Sequence, residues 1–164
     1  MRHCVLVMCL FVLCVSLSVA QEKISSQWKC EVKPADQHSI SVGDREGHSY
    51  GISQGKCTAE KGSLGDAKEQ EGTFTEFADV TGTAIQNHGV FVEAVAGGDK
   101  IFYHYHGNQT GTKDGKFESG ENKFTFAGGT GKFKGVKGEG GCKGKGNADG
   151  SSTWTCEGTY TAAK

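Results

Sequence analysis

The stretch "GCKGKGNADGSSTWTCEGTY", residues 141–160, decides the fold. In its second half Trp154, Cys156 and Tyr160 fall on one face of an extended chain, and Thr153, Thr155, Glu157 and Thr159 on the other. That alternation is the pattern of a half-buried strand. Asn147-Ala148-Asp149-Gly150 has the chemistry of a turn. If the turn centres on Asp149, Cys142 and Cys156, each seven residues away from it, face one another. Facing positions of an antiparallel pair come within disulfide reach. The chain-entropy treatment credits a loop of that size with about 3 kcal/mol.

The alternation recurs upstream. In "SQWKCEV" (26–32) Trp28, Cys30 and Val32 share one face, while Lys29 and Glu31 share the other. "HSYGISQGKC" (48–57), "GTFTEFADV" (72–80), "GVFVEAV" (89–95), "KIFYHYHG" (100–107) and "NKFTFAG" (122–128) are further strand candidates. Gly97-Gly98-Asp99 and Lys113-Asp114-Gly115 are the joints between them. The polar, glycine-broken "EKGSLGDAKEQE" (60–71) reads as a loop. Seven or eight strands separated by such turns predict an all-β barrel or sandwich.

The N-terminus, "MRHCVLVMCLFVLCVSLSVAQEK", has the layout of a secretory signal peptide, with a basic start, a short apolar run and small residues before a cut after Ala20. Its apolar run is shorter than the roughly 20 residues of a membrane span, which predicts a chain free of the membrane once the signal is removed. Residues 1–20 are thus the signal and 21–164 a single domain, secreted or periplasmic. Cys4, Cys9 and Cys14 leave with the signal, and Cys30, Cys57, Cys142 and Cys156 remain. Four cysteines in an exported chain predict two disulfides. Register favours Cys142–Cys156 with Cys30–Cys57. The alternative, Cys30–Cys156 with Cys57–Cys142, would bridge the barrel seam.

Arg2 is the one formal charge in the signal, so its removal takes the net charge from −1 to −2. A balance so near neutral argues against nucleic acid as a partner. All 26 glycines lie after residue 20, without a collagen period, and their share is more than twice the usual 7% or so.

"GGTGKFKGVKGEG" (128–140) has the look of a phosphate loop and fails its geometry. The P-loop pattern needs Gly where Phe126 stands and Ser or Thr where Phe133 stands, and the dinucleotide fingerprint needs Gly at Lys134. Both also need a helix to follow, and a glycine-studded strand follows instead. Its lysines 132, 134, 137, 143 and 145 read as a solvated outer face. No cofactor is implied.

His104 and His106, two apart on one strand, share a face and could hold a metal with His38, His48 or His88. Two ligands do not close a site, and the simpler reading turns Tyr103 and Tyr105 inward and both histidines to water. Glu93 shares a face with Phe91 and Val95, where a buried carboxyl would have a raised pKa and could serve as an acid or base. The apolar Val90, Val92 and Ala94 favour the opposite face as core, which leaves Glu93 outside. Asn108-Gln109-Thr110 fits a glycosylation sequon.

Residues 128–135, with Gly138 and Gly140 after them, resemble the Gly-Gly-Thr-Gly-Lys/Arg-Phe/Tyr-x-Gly box of allene oxide cyclase-like and dirigent-like proteins. "GGDKIFYHYHG" (97–107) and "STWTCEGTY" (152–160) look like the neighbouring strands of that pattern. The resemblance implies a closed antiparallel barrel of about eight strands around a central cavity. It carries over no catalytic residue. The expected function is non-catalytic binding of a small apolar molecule, lined by Trp28, Tyr103, Tyr105, Trp154 and Tyr160, with inward Gly140, Gly144 and Gly146 leaving it room. The rivals are a cyclase or isomerase working in the cavity, and a structural protein with a solid core.

Overall fold

Nine strands make up most of residues 21–162, the part of the chain that the computed structural model describes; the signal-peptide assignment lies outside it. The strands are β1 (Glu22–Ser41), β2 (His48–Lys61), β3 (Ser63–Leu64), β4 (Ala67–Thr81), β5 (Ala84–Val95), β6 (Lys100–Gly111), β7 (Phe117–Gly129), β8 (Lys137–Gly146) and β9 (Ser152–Thr161). All pairings are antiparallel, in the order β2-β1-β9-β8-β7-β6-β5-β4. β2 pairs again with β4 and closes the sheet, while the two-residue β3 lies on β4. The result is an eight-stranded barrel with one short extra strand.

The segment 60–71 is not a loop: it ends β2, forms β3 and begins β4. Gly62 (φ 137°) and Gly65 (φ 59°) turn the chain sharply enough for strand to follow strand. Leu64, Ala67 and Glu69 point inward there, and most of the segment's polar residues lie on the outer face. β1 carries an irregularity between Val32 and Gln37. The chain's single proline, Pro34, falls inside it, where no ladder hydrogen bond is demanded of a residue without an N–H.

The final hairpin has the register expected of a turn centred on Asp149, with Cys142 opposite Cys156 and Gly146 opposite Ser152. Cys30 faces Cys57 across β1 and β2. Both pairs are disulfide-bonded, with Cα atoms 4.0 Å apart in each.

Inside the barrel, aromatic rings lie over glycines of the next strand. Phe74 is opposite Gly55, Tyr105 opposite Gly89, Phe124 opposite Gly140 and Trp154 opposite Gly144. A Cβ on Gly140 would stand 2.3 Å from the Phe124 ring, and one on Gly144 would stand 2.6 Å from the Trp154 ring. The expectation that inward glycines leave free room is therefore corrected at these positions. Rings occupy the space over Gly140 and Gly144, and the Phe117 carbonyl sits 2.1 Å from where a Gly146 Cβ would be.

One end of the barrel is plugged. Leu64, Val95, Ile101, Phe133 and Val136 meet there, each no more than 3% exposed. "GGTGKFKG" forms part of this plug through a single 3₁₀ turn, Gly131–Phe133. The anion in its loop is the protein's own. The Thr130 hydroxyl and the Lys132 N–H both donate to the Asp99 carboxylate, at 3.4 and 3.3 Å, and the Lys132 ammonium pairs with Asp66.

Replacing Gly144 by Ala is expected to cost about 1–3 kcal/mol through overpacking against Trp154. Gly51→Ala, whose Cβ would meet nothing nearer than 3.5 Å, serves as the near-neutral control. Denaturant midpoints of the two variants check this, and equal midpoints would contradict it.

Candidate functional site

Above the plug, the barrel holds a cavity of about 240 Å³. Trp28, Phe74, Phe91, Phe124 and Trp154 form much of its wall, and the lining runs up to the exposed Gln37 at the other end. An engineered cavity of about 150 Å³ is enough to take benzene, and ligand pockets commonly start near 300 Å³. The space suits a molecule of one or two rings.

Both cysteine bridges touch the cavity, as do Trp28, Tyr103, Tyr105 and Trp154 among the aromatics named from sequence. Tyr160 does not. It lies nearer the plugged end, stacked on Phe126 at 5.9 Å, with its hydroxyl donating to Glu22 Oε2 at 2.5 Å. His104 and His106 project to solvent from β6, and His106 is paired in register with His88. His48 is held elsewhere by Asp44 and Asp79. No group of three or more potential metal ligands occurs among the described residues.

Glu93 corrects the expectation that it faces outward. β5 turns Asn87, Gly89, Phe91, Glu93 and Val95 to the interior, which leaves Val90 40% exposed. Apolar content misjudged the face because β5 turns asparagine, glycine and glutamate inward, with Gly89 opposite Tyr105 and Glu93 opposite Ile101 of β6. Glu93 is 1% exposed and accepts a hydrogen bond from the Tyr103 hydroxyl on Oε2 at 2.6 Å.

Two further carboxyls line the cavity that the sequence did not single out. Glu69 enters from β4 at 2% exposure. A bulge between Glu69 and Glu71 lets Glu69 and Gly72 both face inward, which breaks the period-two signal that could have revealed it. Glu76, nearer the open end, accepts from Asn87 Nδ2 at 2.5 Å and from Tyr105 and Gln109 at 3.2 Å each.

Burial pushes Glu93 up from 4.5 to about 7, partly offset by the Tyr103 hydrogen bond. Glu69 rises to about 9, through burial first and then the negative charge of Glu93, with the Ser26 hydroxyl pulling the other way. The two carboxyls share one buried space, so a negative charge on one opposes ionisation of the other. Burial also raises Glu76, against the pull of its three donors. The interior can therefore hold neutral carboxyl groups near neutral pH, able to donate a hydrogen bond as well as accept one.

No family pattern matches the sequence, and no characterised protein matches it in sequence. Solved structures do resemble the fold. The pterocarpan synthase dirigent protein GePTS1 superposes with a TM-score of 0.50 at 13% identity, covering 88% of this chain and 92% of that chain. The pterocarpan synthase dirigent protein PsPTS1 gives 0.49 at 15% identity, covering 88% and 97%. The barrel has the dirigent-type fold.

The buried pair makes stability depend on pH. Their folded pKa values lie above the ordinary 4.5, so the folded state retains protons that the unfolded chain has released. Their stabilisation is complete below about 4.5 and is lost as pH rises through 7 and on towards 9. The loss is at most about 1.4 kcal/mol per pH unit for each group. Glu93→Gln should flatten the fall between pH 5 and 7 in urea midpoints, a window bounded by the two Glu93 values of 4.5 and about 7. An unchanged slope would contradict the assignment.

Proposed function

We propose that the chain is an exported barrel protein that binds a small, mostly apolar molecule in its interior without catalysis. The observation that carries this reading is the ring-walled cavity above a closed plug. A barrel of eight strands is just wide enough either to be filled by side chains or to hold one small ligand, and here the rings stop short of filling it. Export is supported by the two disulfides, which persist in oxidising compartments, and by the signal-like N-terminus. The dirigent-type fold is compatible with interior binding and names no ligand.

The chain has two tryptophans, Trp28 and Trp154, and both line the cavity. Intrinsic fluorescence of the mature, oxidised protein should therefore respond saturably to small aromatic probes, with native mass spectrometry giving one probe per chain. A flat fluorescence titration together with ligand-free mass spectra would overturn the binding reading.

A second reading is favoured by one observation, the inward Glu93. A carboxyl poised near neutrality beside Tyr103 could pass a proton to a bound substrate in a cyclisation or isomerisation. NMR of the bound molecule after incubation separates the two. Recovery unchanged supports binding alone, and conversion supports catalysis.

A further inference from the structure

The polar groups of the cavity are unevenly matched. Four buried side-chain atoms lack a hydrogen-bond partner among the described residues, and all four are oxygens: Glu69 Oε2, Glu93 Oε1, Asn87 Oδ1 and Asn122 Oδ1. Glu69, Glu93 and Asn122 line the cavity, with Asn122 nearer the open end. The lining contains three carboxyl side chains, Glu69, Glu76 and Glu93, and no lysine, arginine or histidine. Glu76 is served by three donors of its own. Glu93 has one, Tyr103, on one oxygen only. Buried polar atoms are nearly always paired, and an unpaired buried charge is costly enough that the group keeps its proton instead.

We propose that the occupant of this cavity is an apolar amine in its cationic form, its ammonium set against Glu69 and Glu93 and its apolar body against the surrounding rings. The inference rests on the binding reading above and narrows its ligand class. An ammonium brings three donors and a positive charge, which are what the unpaired carboxyl oxygens lack. Rings such as Trp28 and Phe91, in edge contact at 5.1 Å, can attract a cation by their faces as well as pack against hydrocarbon. A ligand carboxylate would bring a negative charge into a buried lining that has no cation to offset it. A neutral alcohol could satisfy one oxygen and brings no positive charge to draw the pair into its ionised form. Uptake balances simply: the cation enters, and the carboxyl pair gives up a proton to solvent as it ionises.

The test compares 2-phenylethylamine, 2-phenylethanol and 3-phenylpropanoate on the mature, oxidised protein at pH 7.5, by tryptophan fluorescence and calorimetry. The amine is expected to bind at least tenfold tighter than the alcohol, equivalent to about 1.4 kcal/mol, with no detectable binding of the carboxylate. In the Glu69→Gln/Glu93→Gln double variant the amine's advantage over the alcohol should disappear. The probe series on the unaltered protein stands by itself if that variant does not fold. An advantage below tenfold, or binding of the carboxylate, overturns the amine assignment while binding of the alcohol leaves the cavity reading intact. Silence of all three probes overturns both.

Discussion

The barrel depends on one packing constraint: several of its inward rings need an inward glycine beside them. Phe74, Tyr105, Phe124 and Trp154 each cover a glycine on the neighbouring strand, and Phe91 lies over Gly72 one diagonal step away. Eight strands enclose little space, and a ring on every inward position would not fit within it. Glycine in a strand weakens it when nothing covers the bare backbone. The overlying ring supplies that cover and gains contact of its own. The high glycine content and the aromatic content of this chain are two halves of one interior.

The same constraint explains why the interior is both walled and hollow. Rings laid flat along the wall extend less far toward the axis than rings pointing at it. The space that remains is closed at one end by Leu64, Val95, Ile101, Phe133 and Val136. Into this low-polarity volume the strands bring Glu69 and Glu93, whose burial costs stability in the ionised form. A core shaped for stability alone would have apolar residues there. Their place beside the cavity supports the proposed binding reading.

Much of the fold could be read from the residues. Alternation in 26–32 and 152–160 gave the strands, and a turn at Asp149 gave the Cys142–Cys156 register that β8 and β9 adopt. The Gly-Thr-Gly-Lys-Phe box was legible as structural, because no helix follows it. Its partner Asp99 was not legible, being a contact between turns far apart in sequence. Less of the site could be read. Glu93 was identified on the wrong face, since Val90, Val92 and Ala94 carry more apolar surface than Gly89, Phe91 and Glu93. Facing is decided by what lies opposite across the sheet. Glu69 was hidden by a bulge that shifts the parity of β4 by one residue. Tyr160 has the right face and the wrong height, a distinction that alternation cannot make.

The central claim is that the barrel is hollow between its plug and its open end. Xenon settles against apolar cavity walls, and NMR of the oxidised mature protein under xenon pressure reads its location directly. The account predicts saturable shifts confined to cavity residues such as Trp28, Phe91 and Phe124, with the plug residue Val136 unmoved. Uniform small shifts throughout the barrel, or none at those rings, would show a solid core and contradict it.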